Sequence, residues 1–170
     1  PPDGFRFNES CLPHITLVQQ FVQENELTAF FDAANMVLSG TQPLELRTTT
    51  IAHGQTTSTL GLEPTSVLID LHCRLMDRLA AFERGTGSAS SFHTNGWPAR
   101  TSDVEWVRNF RTKSAYVWYE PHITVGVGDL ISSIAPLAFT TPHVAACHLG
   151  RYCTCRVELE KWTLPTKTAP

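Results

Sequence analysis

The sequence has no run of about 18 or more apolar residues, the length a helix needs to cross a bilayer, and its opening Pro-Pro-Asp-Gly is not the charged-then-apolar start of a signal peptide. A soluble chain with no membrane partner is expected. There is no cluster of basic residues either. The 13 Lys and Arg are spread among 16 Asp and Glu, for a formal net charge of −3, whereas long nucleic acids are gripped through many phosphates by clustered Lys and Arg. That composition excludes a long nucleic acid as the expected partner and leaves a small nucleotide or short oligonucleotide as the natural substrate of that class. The Gly-x4-Gly-Lys loop that cradles triphosphates is missing, as is the Gly-x-Ser-x-Gly turn that carries a serine nucleophile.

What is present fits one globular domain, expected to be a monomer. With 170 residues, 42% of them hydrophobic and 17% charged, the chain can bury a substantial core without help from disulfides or metal. Five cysteines is an odd number, which favours a reducing, cytoplasmic compartment. Cys153 and Cys155 are one residue apart, so on a strand they would share a face and a bond between them would be strained. His143, Cys147, His148, Cys153 and Cys155 do not fall in the paired spacing, roughly two to four residues on each side of a longer loop, that zinc sites favour. No metal and no other cofactor is expected. Metal binding by this cluster stands as an alternative.

Hydrophobic periodicity predicts an α+β chain. Residues 12–22 read as a strand, broken by Gln19-Gln20, and 24–38 as a helix with Leu27, Phe30, Phe31, Ala34 and Leu38 at helical spacing and Gly40 as its C-terminal cap. Leu44, Leu46 and Thr48 alternate with Glu45, Arg47 and Thr49 in a strand over 44–52, and 57–62 is a further strand. Pro64-Thr65-Ser66 starts a helix whose Leu68, Leu71, Leu75, Leu79 and Phe82 share a face, with His72 packed on or beside it. From 84 to 100 the composition turns to Gly, Ser, Thr and Asn, the mark of a surface loop or a joint between lobes at about 1–83 and 101–170. His93 and Trp97 lie in it. Then come a short helix capped by Ser102 and Glu105, extended runs over 115–119 and 122–127, a helix over 129–138, and strands over 144–149 and 154–164. The whole reads as one domain over 1–170.

The most informative feature is a repeat. Pro-His-Ile-Thr occurs at Pro13-His14-Ile15-Thr16 and again at Pro121-His122-Ile123-Thr124, each time running into an apolar stretch. On a strand, side chains alternate between faces, so His14 and Thr16 point one way and Ile15 the other, with the same pattern at His122, Thr124 and Ile123. Two such strands side by side would present two imidazoles and two hydroxyls to one cleft. Hydrolysis of a phosphodiester needs a base for the attacking water and an acid for the leaving oxygen, and histidine titrates nearest neutral pH. Hydroxyls donating to the non-bridging oxygens would stabilise the charge that grows there.

His14-Ile15-Thr16-Leu17 and His122-Ile123-Thr124-Val125 both fit a His-x-Thr-apolar pattern that resembles the paired motifs of the two-histidine phosphoesterase superfamily, also called LigT-like. The resemblance implies a bilobal, pseudo-twofold α+β fold of duplicated strand-helix-strand halves, with central antiparallel sheets forming a cleft and lobes able to exchange strands. It implies metal-independent hydrolysis of cyclic or 2′-linked phosphodiesters. The implied substrates are a 2′,3′-cyclic nucleotide or RNA end, ADP-ribose cyclic phosphate, or a 2′,5′-linked oligonucleotide. His14 and His122 would then be catalytic, with the base and acid roles open, and Thr16 and Thr124 would hold the phosphate. The motifs stand 108 residues apart (122 minus 14), a span the 84–100 loop would absorb. For the base of a nucleotide, Trp118 and Tyr119 are stacking candidates, with core packing as their other reading. Tyr152 beside Arg151, and Phe5 and Phe7, are further candidates. A nucleotide-binding or RNA-end-binding module without catalysis is the second alternative.

Overall fold

Thr48 shows how the sheet is built: its side chain is 1% exposed, and it exchanges two hydrogen bonds with Leu137, donating its N–H to the Leu137 carbonyl at 2.9 Å and accepting the Leu137 N–H on Oγ1 at 2.7 Å. The computed structural model describes residues 11–53, 57–94, 96–126 and 134–166. Strands β1 (Leu44–His53), β2 (Ser58–Leu62), β3 (His122–Gly126) and β4 (Ala138–Thr141) form an antiparallel sheet in the order β3-β2-β1-β4. Strands β5 (His143–Gly150) and β6 (Thr154–Thr163) pair separately, also antiparallel. The α+β class read from the sequence is the one that forms. The main sheet takes two strands from each side of the 84–100 stretch, so the two halves of the chain share it.

The alternation in β1 and β2 sets the core. Leu44, Leu46, Leu60 and Leu62 turn inward, while Glu45 and Arg47 stay outside. Helices α1 (Leu27–Leu38) and α2 (Ser66–Leu79) cover the inner face, burying Ala33, Ala34, Val37 and Leu38 from one and Leu68, Leu71, Leu75 and Leu79 from the other. Each such leucine is worth about 1.5–3 kcal/mol when fully buried, which outweighs any intrinsic helix preference. The Thr65 Oγ1 caps α2 by accepting the Leu68 N–H at 3.3 Å.

Four expectations change. Helix α1 is closed by Thr41, not by a left-handed glycine: the Thr41 N–H donates to the Leu38 carbonyl and its hydroxyl to that of Val37, both at 2.9 Å. Helix α3 (Thr101–Lys113) starts after Arg100, whose N–H is accepted by the Asp103 carboxylate at 2.9 Å, so Asp103 does the work expected of Ser102 and Glu105. Residues 116–118 form a 3-10 turn instead of a strand, with Tyr116 at φ 57°. In the predicted helix over 129–138, residues 129–133 lie outside the described residues, 134–137 are irregular and Ala138 already belongs to β4; Pro136 cannot continue a helix. Phe5, Phe7 and Val127 also lie outside the described residues. The 84–100 stretch is anchored at Arg84, whose N–H donates to the Phe21 carbonyl at 2.9 Å, and at buried Phe92, edge-on to Phe21 at 5.8 Å. No helix among the described residues is long and apolar enough to cross a membrane.

Thr48→Val keeps the shape but leaves the Leu137 amide without an acceptor in the sheet. A loss of about 1–3 kcal/mol of unfolding free energy is expected in urea titrations, and an unchanged midpoint would contradict the role assigned to this hydroxyl.

Candidate active site

The two motifs meet at one point. The strand expected over 12–22 does not form as a continuous ladder: the stretch bends at Leu17, and its described pairings are isolated antiparallel bridges, Ile15 with Ile123 and Phe21 with Arg84. The Ile15–Ile123 bridge is the one that builds the site. One residue to either side, His14 stands opposite Thr124 and Thr16 opposite His122, and residues opposite one another in an antiparallel pair share a face. Ile15 and Ile123 pack against the core cluster, so the histidines and threonines take the other face. The two histidines are then diagonal neighbours, with a separation of about 7–8 Å expected between their backbones. All four side chains are half-buried.

Proline explains the local geometry. Pro13 and Pro121 hold Leu12 and Glu120, the residues before them, in extended backbone. In both motifs the carbonyl of that residue turns to its own histidine: His14 Nδ1–H donates to the Leu12 oxygen at 3.0 Å and His122 Nδ1–H to the Glu120 oxygen at 2.8 Å. A carbonyl only accepts, so Nδ1 carries the proton and Nε2 is left as the working nitrogen in both rings. The same device thus serves both halves of the site. Next to β3, Gly61 pairs with His122 and Thr59 with Thr124, so both lie on the histidine face. A Cβ at Gly61 would stand 2.8 Å from the Thr49 hydroxyl, so glycine leaves room for that side chain next to the strand that carries His122. Sequence reasoning missed Thr49, Thr59 and Gly61. The alternation within 57–62 was the available signal, once the neighbour of the second motif is known.

The aromatic candidates separate. Trp118 is 66% exposed, free to present its ring to solvent. Tyr119 is 8% exposed and belongs to the core: its ring stacks on His72 at 3.8 Å and its hydroxyl donates to the Thr16 carbonyl at 2.9 Å. The packing reading of Tyr119 therefore replaces the stacking one. Tyr152, at φ 64°, donates its N–H to Asp103 and has the Arg100 guanidinium 3.9 Å from its ring centre and that of Arg151 at 5.3 Å, so arginine already covers the ring. His93 is held against β5 by its N–H bond to the Leu149 carbonyl at 2.8 Å, with its ring 5.9 Å from that of His148. All five cysteines are free thiols, and among the described residues no three His, Cys, Asp or Glu side chains converge as a metal ion would require. His143 instead faces the Thr163 hydroxyl across the β5–β6 pair.

Burial lowers the His14 pKa below its ordinary 6.5, and a charge on His122 lowers it further, against the raising effect of the Leu12 carbonyl. His72 is also lowered, first by burial. Over the interval just below 6.5 the unfolded chain therefore binds more protons at these rings than the folded one. Stability is fully present above that value and declines as pH falls through it toward the lowered folded pKa. In an NMR titration the His14 ring should show its midpoint below 6.5; a midpoint at or above 6.5 would contradict the buried placement.

No family model matches the sequence, and no curated protein does. Among solved structures, the fold is similar to that of the protein TT0787 of Thermus thermophilus, with a TM-score of 0.58 and 14% identity, over 89% of this chain and 78% of that one. At that level of identity the likeness is one of fold.

Proposed function

We propose that the chain is a metal-independent phosphodiesterase that opens a cyclic nucleotide phosphate or cleaves a 2′-linked phosphodiester, with His14 and His122 transferring the protons. The observation that carries this reading is the direct opposition of the two His-x-Thr motifs, each histidine tied through Nδ1 to the carbonyl two residues before it. The resemblance of both motifs to those of the two-histidine phosphoesterases supports the same reaction class.

Burial biases His14 toward the neutral form, the form a base must have. It is assigned the proton of the attacking water or hydroxyl, taken on Nε2. His122 is assigned the acid's part, giving its Nε2 proton to the departing ribose oxygen. Thr16 and Thr124, on either side, donate to the non-bridging oxygens, whose charge grows in the transition state. Trp118 offers a stacking surface for the base. Substrates in this class are 2′,3′-cyclic nucleotides or RNA ends, ADP-ribose cyclic phosphate and 2′,5′-linked oligonucleotides.

The purified protein is expected to hydrolyse at least one of these in the presence of EDTA, with a bell-shaped dependence of rate on pH. His14→Ala and His122→Ala should each lower the rate about 10²- to 10⁴-fold. Turnover abolished by EDTA, or retained in both variants, would rule this mechanism out.

A further inference from the structure

We propose that His72 is a positioning residue for the two-histidine site, a neutral imidazole of fixed tautomer that ties the first motif to the turn leading into the second. The inference rests on the reaction proposed above but is argued from different atoms. His72 sits on α2 at 0% exposure, between Leu68, Leu71, Leu75 and Leu79, where packing alone would be satisfied by another leucine. An imidazole buried there costs desolvation unless both its nitrogens are bonded. Both are. Nδ1–H donates to the Leu17 carbonyl at 2.6 Å, and Nε2 accepts the Tyr116 N–H at 2.9 Å. Since a carbonyl only accepts and an amide only donates, the ring is neutral with its proton on Nδ1. Burial lowers its pKa, which agrees with this state.

These bonds fall where the backbone ladder is thin. Among the described residues the first motif meets β3 through the isolated bridge at Ile15, so the placement of Thr16 and His14 depends also on what holds the following residues. Leu17 is held by His72. Thr16 is held by the Tyr119 hydroxyl at 2.9 Å, and the Tyr119 ring lies flat on His72, 3.8 Å away with an interplanar angle of 2°. The other end of the tie reaches Tyr116, whose φ of 57° a β-strand would not supply and whose N–H the imidazole satisfies. From there the chain passes through Tyr119 to Pro121 and His122. One buried ring therefore sets the approach of both motifs, and its loss would be felt as a misplacement at the phosphate.

The test compares His72→Asn, which keeps a donor near Nδ1, and His72→Gln, which puts an acceptor near Nε2, with Leu75→Ala as a core truncation on the same helix. The His72 variants should lose about 10- to 10²-fold in kcat with KM changed far less, the scale of a small misplacement of reacting groups. Their His14 and His122 ring resonances should shift. Leu75→Ala should lower the thermal midpoint while leaving kcat and those resonances in place. Tyr119→Phe, which keeps the stack and removes only the bond to Thr16, should show a smaller loss of the same kind and serves if the His72 variants do not fold. The proposal is overturned if His72 or Tyr119 variants lose stability yet keep kcat and both ring resonances, as Leu75→Ala does. If the wild-type protein turns over none of the substrates, the reaction assignment fails while the ring resonances still decide the positioning role.

Discussion

The contact of Ile15 with Ile123 is the constraint on which the rest of the site depends. Both isoleucines turn to the core, and because strand side chains alternate, that choice sends His14, Thr16, His122 and Thr124 to the opposite face. A slip of one residue would carry every one of these side chains to the wrong side. The apolar residue in the middle of each motif is thus as necessary to the arrangement as the polar ones that flank it. Antiparallel pairing adds the final relation, setting each histidine against the threonine of the other motif.

Bringing together two segments so far apart in the chain costs chain entropy of about 4 kcal/mol by the logarithmic loop-closure relation. One bridge does not offset that. The core cluster does, through the leucines of β1, β2, α1 and α2 that hold the main sheet, with Ile15 and Ile123 packed on its margin. Polar ties then refine what burial has assembled. His72 and Tyr119 engage Leu17, Thr16 and Tyr116, and the prolines orient the carbonyls that receive the two Nδ1 protons. The site is specified by backbone geometry and a buried polar network, while its attachment to the molecule is hydrophobic.

Much of this was legible in the chain. The α+β class, the helix read over 24–38, the helix started by Pro64-Thr65-Ser66, and the strands β1, β2, β3, β5 and β6 follow from periodicity and turn residues, most plainly in α2 and β2, where one face is buried. His72 was readable as a packed histidine for the same reason. The rest failed where tertiary bonds outrank local pattern. The stretch 115–119, Ala-Tyr-Val-Trp-Tyr, reads as an extended run but turns, because the Tyr116 amide finds His72 and Tyr119 finds the core. Asp103 displaces Ser102 and Glu105 at the start of α3 because it also receives Arg100 and the Tyr152 amide. In the site, the paired histidines were legible from their repeat. Gly61 and Thr59 were not, since their place beside His122 and Thr124 exists only through the β2–β3 register.

The account turns on two histidines held in the same tautomer with Nε2 free for proton transfer. Long-range proton–nitrogen correlation spectra of histidine-labelled protein above pH 7 report that tautomer directly, with assignments from single histidine variants. The account predicts that neutral His14 and His122 both carry the proton on Nδ1, as their bonds to the Leu12 and Glu120 carbonyls require. A proton on Nε2 of either ring would contradict it.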